Sequence, residues 1–228
     1  MGFRGGSNGP DKELRMATDE AFWDKIADKY AADSAKPKAK GPNYAARLER
    51  ASAVFSPSDA VLDVGCASGE ITMDLAAHCG RIHGIDVGGR LIEIARAEAK
   101  RRGIGNVTFE KISADDPARD VPEGGFDAVT MYSVIHLVPE PAAFMRRLGE
   151  LVRPGGYLIS ETPCLGDRSS IWRPVIGVVR WLGKAPSIVH CLKAAEVEAM
   201  VADAGFEVLD SQIYNPKSGQ QSVIARRV

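Results

Sequence analysis

Apolar residues along this chain recur with two different spacings. Between residues 60 and 161, short apolar runs alternate with segments whose apolar positions repeat every three to four residues, the pattern of strands separated by helices. Two further runs follow an amphipathic segment at Ala194–Ala204. The predicted strands are residues 60–64, 81–87, 107–112, 126–132, 157–161, 206–214 and 221–226.

The order of these segments predicts the architecture. Strands separated by helices form βαβ units, which build a mostly parallel sheet covered by helices on both faces. The last two strands have no helix between them, and Asn215-Pro216 and Ser218-Gly219 mark a turn at their junction. We therefore expect an α/β, Rossmann-like, mostly parallel seven-stranded sheet whose last strand is antiparallel.

The 228 residues predict one domain, residues 18–228, behind a leader rich in glycine and charge at residues 1–17. Phe22, Ile26 and Tyr30 give the segment Asp19–Tyr30 one apolar helical face. The lysines and prolines of Ala35–Pro42 predict an exposed loop.

The composition of the chain argues against several classes of binding partner. A formal net charge of −1 lacks the basic surplus of a protein that grips nucleic acid. The sequence has no apolar run long enough to span a membrane and no hydrophobic signal segment at its start. Its four cysteines are scattered, so we expect neither a metal site nor disulfides, and we predict a cytoplasmic protein.

The strongest chemical signal is the segment Val61–Gly69, with the sequence VLDVGCASG. Small residues at Gly65, Ala67 and Gly69 allow a tight turn after a strand and a close approach to a ligand. A nicotinamide-dependent oxidoreductase is the alternative, but its usual turn is G-x-G-x-x-G against a pyrophosphate. Here Asp63 precedes the turn, and a carboxylate favours a ligand with an ammonium group over a pyrophosphate.

A second acid lies at the end of the next predicted strand. Asp86 follows the glycine turn by about 20 residues, the spacing that brings both to one edge of a parallel sheet. Its carboxylate is suited to accept hydrogen bonds from the two hydroxyls of a ribose. The alternative is that Asp86 only caps the following helix.

Taken together, six segments resemble the motifs of the small-molecule class I S-adenosylmethionine-dependent methyltransferases, in the order that family has them. The matching segments are Phe22–Tyr30, Asp63–Gly69, Gly84–Asp86, Ser113–Asp116, Phe126–Leu137 and Leu151–Leu158. The resemblance covers more than half of the chain. It departs at Ala67, where many members of the family have glycine.

The resemblance implies S-adenosylmethionine as cofactor and assigns residues to its parts. Residues 18–50 would form N-terminal lid helices over it, with Tyr30 and Tyr132 lining the methionyl end. Asp63 would lie near the amino group and Asp86 at the ribose. The methionyl part would be held by Gly65, Cys66, Ala67 and Gly69, and the adenine by Val87, Asp115 and Asp116.

Methyl transfer from a sulfonium needs mainly alignment, so no catalytic residue is obligatory. If the acceptor must lose a proton, His136 after the fourth strand is the preferred base, with His190 as an alternative; either histidine can instead be structural. Cys164 follows the fifth strand, where some RNA pyrimidine methylases have a nucleophile, but the charge balance disfavours such a substrate.

The insertion at residues 165–192 combines apolar residues with arginines and lysine. This composition is typical of a lid helix, an apolar substrate pocket, or a surface that contacts membranes or a partner protein.

We expect methyl transfer to O, N or C of a small, apolar or aromatic acceptor. A non-catalytic cofactor-binding module is the alternative. The sequence leaves the acceptor and the oligomeric state open.

Overall fold

The computed structural model describes residues 10–36, 41–112, 121–168, 185–215 and 219–228. Its strands are β1 (Ala60–Val64), β2 (Arg81–Asp86), β3 (Val107–Lys111), β4 (Phe126–Tyr132), β5 (Val152–Pro163), β6 (Phe206–Asn215) and β7 (Gln220–Arg227). Its helices are α1 (Pro10–Ser34), α2 (Pro42–Ser52), α3 (Glu70–Leu75), α4 (Gly89–Arg102), α5 (Pro141–Leu151) and α6 (Ala194–Asp203).

The seven strands form one sheet in the order β3-β2-β1-β4-β5-β7-β6. Neighbours from β3 to β5 pair in parallel, whereas β7 is antiparallel to both β5 and β6. The predicted Rossmann-like topology with an antiparallel last strand is therefore confirmed. The strand order reverses between β1 and β4, and ligands of such sheets bind beyond the carboxyl ends of the strands at that point.

Two apolar cores lie on opposite faces of the sheet, which explains why β1 is buried along its whole length. Leu62 and Val64 belong to a core with α5 and α6, whereas Val61 packs with α2, α3 and α4. This division follows the two-residue alternation of side chains along a strand. Helices on both faces hold β1 in place, and its carboxyl end opens directly into the glycine-rich turn.

The structure differs from the sequence prediction at several boundaries. Helix α1 begins at Pro10, so residues 10–17, assigned to the leader from their composition, are helical; proline is favoured in a first turn. The predicted loop ends earlier than expected, because α2 already begins at Pro42. Strand β5 begins at Val152, since a register shift between Phe126 and Ala128 accommodates the Pro154-Gly155-Gly156 segment within the strand pairing.

Several predictions fall outside the described residues. Residues 1–9 of the leader, the acids Asp115 and Asp116, and residues 169–184 of the insertion are among them. The division into leader, domain and insertion otherwise remains a prediction. Within the described ranges, no helix is long and apolar enough to cross a membrane, and no group of three or more His, Cys, Asp or Glu side chains is arranged to hold a metal.

Candidate active site

A cavity of about 430 Å³ lies at the carboxyl ends of β1, β2 and β4. Helix α1 and the segment at residues 186–189 contribute further walls. Its volume is within the roughly 300–1,000 Å³ typical of small-molecule sites. Predicted site residues that line it are Tyr30, Gly65, Ala67, Asp86, Val87, Tyr132 and His136.

The turn after β1 has a backbone that only small residues fit. Gly65 has a φ of +72°, and a Cβ added to it would lie 2.2 Å from Cγ2 of Val134. The N–H groups of Gly65 and Cys66 both donate to the carbonyl of Ile85, at 2.8 and 3.0 Å. Gly69, with a φ of +75°, is the N-cap of α3 and packs against Phe109. The turn therefore lies directly against β2 and leaves its inner side open to the cavity.

Ala67 is the residue of this turn that departs from the family pattern, and it has a φ of +49°. Left-handed backbone is unfavourable for residues with a Cβ and is often found at functional sites. Ser133, at the end of β4, is the other described non-glycine residue with positive φ, at +61°. Both line the cavity, so the strained positions lie on two of its walls.

Asp86 joins the turn to the end of β2. Its carboxylate accepts the N–H of Ala67 at 3.0 Å and that of Gly88 at 2.8 Å. Burial raises the pKa of this carboxyl, while the amide donors lower it. Because the carboxylate lines the cavity as well, it is placed to accept hydrogen bonds from a bound ligand.

Asp63, which the resemblance places near the amino group of the cofactor, is not among the residues that line the cavity. Its side chain is 1% exposed, and its two carboxylate oxygens accept the hydroxyls of Thr72 at 2.5 Å and Thr130 at 2.7 Å. Burial raises the pKa of Asp63 to about 6. Asp63 therefore ties the end of β1 to α3 and β4, beneath the turn. Cys66, which is buried, and Gly69 also lie outside the lining.

Helix α1 covers one side of the cavity with Trp23 and Tyr30, whose rings meet edge to face with centroids 6.3 Å apart. On the outside, Asp28 forms an ion pair with Arg90 of α4 at 2.9 Å, and Asp24 accepts the Arg90 backbone N–H. These contacts hold α1 against α4.

Tyr132 has a buried hydroxyl group with no hydrogen-bond partner within the described structure. The guanidinium of Arg47 lies 4.8 Å from the centre of the Tyr132 ring and forms an ion pair with buried Glu161 at 2.6 Å. Glu161 also accepts the hydroxyl of Tyr214 at 2.7 Å. Sequence reasoning missed Arg47 and Glu161, because neither belongs to a recognisable motif.

Two of the three candidates for catalysis, His136 and Cys164, differ in accessibility. His136 lines the cavity, and its buried Nδ1 has no hydrogen-bond partner in the part of the chain described. Burial, with a smaller effect from His190, lowers the pKa of His136 to about 4, so the imidazole is neutral at physiological pH. Cys164 is fully buried, lies outside the lining, and has its pKa raised by burial to about 12. Its thiol is thus neither ionised nor accessible as a nucleophile.

These residues fit S-adenosylmethionine. The cavity combines a carboxylate at the end of β2, a turn with no room for larger side chains, and a buried hydroxyl without a partner. These features match a ribose, a closely approaching methionyl backbone and a polar group of the cofactor, respectively.

Comparison with known proteins identifies the family. Residues 55–209 match the model of a methyltransferase domain. A ubiquinone biosynthesis O-methyltransferase of Pseudomonas paraeruginosa (strain DSM 24068 / PA7) is 33% identical over 162 residues, 68% of each chain. The chain belongs to this methyltransferase family and is an S-adenosylmethionine-dependent methyltransferase. The oxidoreductase alternative is thereby set aside.

Solved structures share the fold at lower identity. The N-methyltransferase NodS of Bradyrhizobium japonicum WM9, solved with S-adenosyl-L-homocysteine, superimposes with a TM-score of 0.65 and 18% identity, covering 95% of this chain and 96% of that one. An S-adenosylmethionine-dependent methyltransferase of Mesorhizobium loti gives a TM-score of 0.66 and 19% identity, covering 82% of this chain and 99% of the other.

Proposed function

We propose that the enzyme methylates a hydroxyl oxygen of a small, uncharged molecule with an aromatic ring and apolar substituents. The lining of its cavity carries this proposal. Asp86 is the only carboxylate among the described lining residues, and none of those residues is a lysine or an arginine. The O-methyltransferases of ubiquinone biosynthesis, which are 30–33% identical to this chain, support a hydroxyl acceptor.

The cofactor would lie along the ends of β1 and β2. Asp86 would accept hydrogen bonds from the ribose, Val87 would pack on the adenine, and the turn at Gly65 and Ala67 would face the methionyl part. Asp115 and Asp116 remain the predicted adenine contacts, and Tyr30 and Tyr132 would flank the methionyl end. When bound, S-adenosylmethionine supplies a methyl group on a positively charged sulfur, and the chain's task is to align an acceptor oxygen with it.

The acceptor would occupy the other end of the cavity, which is apolar. The walls of this end are formed by Leu137, Val138 and Pro139 after β4 and by Pro186 and Val189 from the segment after β5. His136 lies beside it with a neutral imidazole, which suits it to accept a hydrogen bond from a hydroxyl group. An anionic acceptor would find no cationic partner among the described lining residues.

A panel of three acceptors tests this proposal. Purified enzyme with S-adenosylmethionine is incubated with 4-butylcatechol, with 4-butylaniline and with ethanolamine, and mass spectrometry records the addition of a methyl group. We expect methylation of the catechol and little of the amines. Methylation of ethanolamine alone would contradict the apolar acceptor. Cofactor binding without turnover of any acceptor in the panel and in a metabolite extract would favour the non-catalytic alternative.

We also propose a cytoplasmic location. All four cysteines are free thiols, and three of them are buried, an arrangement compatible with a reducing compartment. Cell fractionation with an antibody against the chain tests the location, and recovery in an extracytoplasmic fraction would contradict it.

A further inference from the structure

His190 connects two walls of the acceptor end of the cavity. Its backbone N–H donates to the carbonyl of His136 at 2.7 Å, and its Nε2 lies 2.9 Å from the carbonyl oxygen of Val138. A carbonyl oxygen only accepts, so Nε2 of His190 carries the proton in this contact. The two hydrogen bonds therefore reach the middle of the short 3₁₀ turn Ile135–Leu137, at His136, and the residue that directly follows it, Val138.

The segment that carries His190 has little regular structure of its own. Residues 185–193 form neither helix nor strand, yet Pro186 and Val189 line the cavity. The two hydrogen bonds of His190 thus connect this segment to the turn after β4. This contact joins the two walls of the apolar end, the one formed by Leu137, Val138 and Pro139 and the one formed by Pro186 and Val189.

We propose that His190 is a positioning residue that fixes the acceptor wall and the turn bearing His136, and that it does not itself contact the acceptor. The proposal rests on the proposed function for the identity of the acceptor, whereas the contact with Val138 is formed within the chain itself. Among the described lining residues His190 is absent, which separates its role from that of His136.

The first test needs no acceptor. In His190→Leu the side-chain donor is lost while the bulk is kept, whereas His190→Gln places an amide N–H near the position of Nε2. Hydrogen–deuterium exchange follows the amides of residue 190 and Leu137, which donate to His136 and Val134. We expect exchange to rise roughly 3- to 10-fold in His190→Leu, the effect of one hydrogen bond, and to stay near wild type in His190→Gln. Unchanged exchange in His190→Leu, or equal increases in both variants, would overturn the proposal.

The second test separates positioning from general stability. With 4-butylcatechol, we expect His190→Leu to lose about tenfold or more in kcat/KM, while the affinity for S-adenosylhomocysteine by calorimetry stays unchanged. The Gln variant should restore turnover, and His78→Leu, at an exposed histidine away from the cavity, is the control. Equal losses of turnover and cofactor affinity would overturn the proposal. If wild type methylates no acceptor, the proposed function fails, and the exchange experiment still decides the role of His190.

Discussion

The carboxylate of Asp86 accepts the backbone N–H of Ala67 at 3.0 Å, which connects the end of β2 to the turn after β1. Through this contact the acid that we assign to the ribose also fixes the turn that we assign to the methionyl part. The turn is strained at Ala67, where φ is +49°. The two halves of the proposed cofactor site are therefore coupled, and changes in one should be measurable in the other.

Replacing Ala67 by glycine should stabilise the free enzyme. A left-handed conformation costs a residue with a Cβ roughly 1–2 kcal/mol, and the entropy of glycine offsets about 0.5–1 kcal/mol of the relief. We expect Ala67→Gly to raise the free energy of unfolding by about 0.5–1 kcal/mol, measured by denaturant titration. Ala97→Gly, in the exposed middle of α4, is the control and should lower it by about 1 kcal/mol. A similar loss in both variants would show that Ala67 is not strained.

Replacing Gly65 by alanine should damage the site. The added Cβ would lie 2.2 Å from Val134, so either that side chain or the turn must move. We expect a loss of about 1–3 kcal/mol in the free energy of unfolding and weaker binding of S-adenosylhomocysteine. Gly105→Ala is the matched control, because a Cβ there meets no atom within 4 Å. Wild-type affinity in Gly65→Ala would contradict the close approach of this turn to the cofactor.

Asp63 should make stability depend on pH in a direction unusual for a carboxylate. Burial raises its pKa from 3.8 to about 6, so between these values the folded chain holds a proton that the unfolded chain has released. The contribution of Asp63 to the free energy of unfolding should therefore fall as pH rises through this window. We expect the difference between wild type and Asp63→Asn to shrink from pH 4 to pH 6. An increase over the same range would mean that a cation or donor lowers the pKa of Asp63.

His136 should titrate in the opposite sense. Its pKa falls from 6.5 to about 4 in the folded chain, so the unfolded chain binds more protons in this window and stability falls as pH drops through it. NMR titration of the imidazole should give a midpoint near 4, and His136→Gln should lose this part of the pH dependence. A midpoint near 6.5 would contradict the burial of His136, and with it the neutral imidazole that the proposed function uses.

The features that the sequence predicted correctly are those that depend on a local pattern of residues. The bounds of β1 and β4 match the structure, since each is a buried apolar run closed by a turn. The small residues of the turn and the acid at the end of β2, which the sequence pattern also singled out, form one wall of the cavity. The position of Ala67 was recognised as a departure from the family, although its positive φ was not.

Contacts between distant segments were beyond sequence reasoning. Arg47 and Glu161 are 114 residues apart, and their ion pair depends on how α2 packs beside β5. Asp63 was assigned to the ligand because an acid before a glycine turn is suited to an ammonium group. In the structure its carboxylate accepts hydrogen bonds from the hydroxyls of two threonines, one of them from β4, and the sequence pattern gave no indication of these contacts. A side chain at the end of a strand faces the cavity or the core according to how distant segments pack around it. A single sequence motif does not specify that packing.

The affinity of Asp86→Ala for S-adenosylhomocysteine, measured by calorimetry, tests the central claim most directly. Loss of two hydrogen bonds to a charged group predicts binding about 100-fold weaker or more. Asp210→Ala, at an acid on β6 paired with Arg50, should bind as wild type does. Thermal unfolding of the free variants checks that the fold is kept. Near-wild-type affinity in a folded Asp86→Ala protein would contradict the assignment of this cavity to the cofactor.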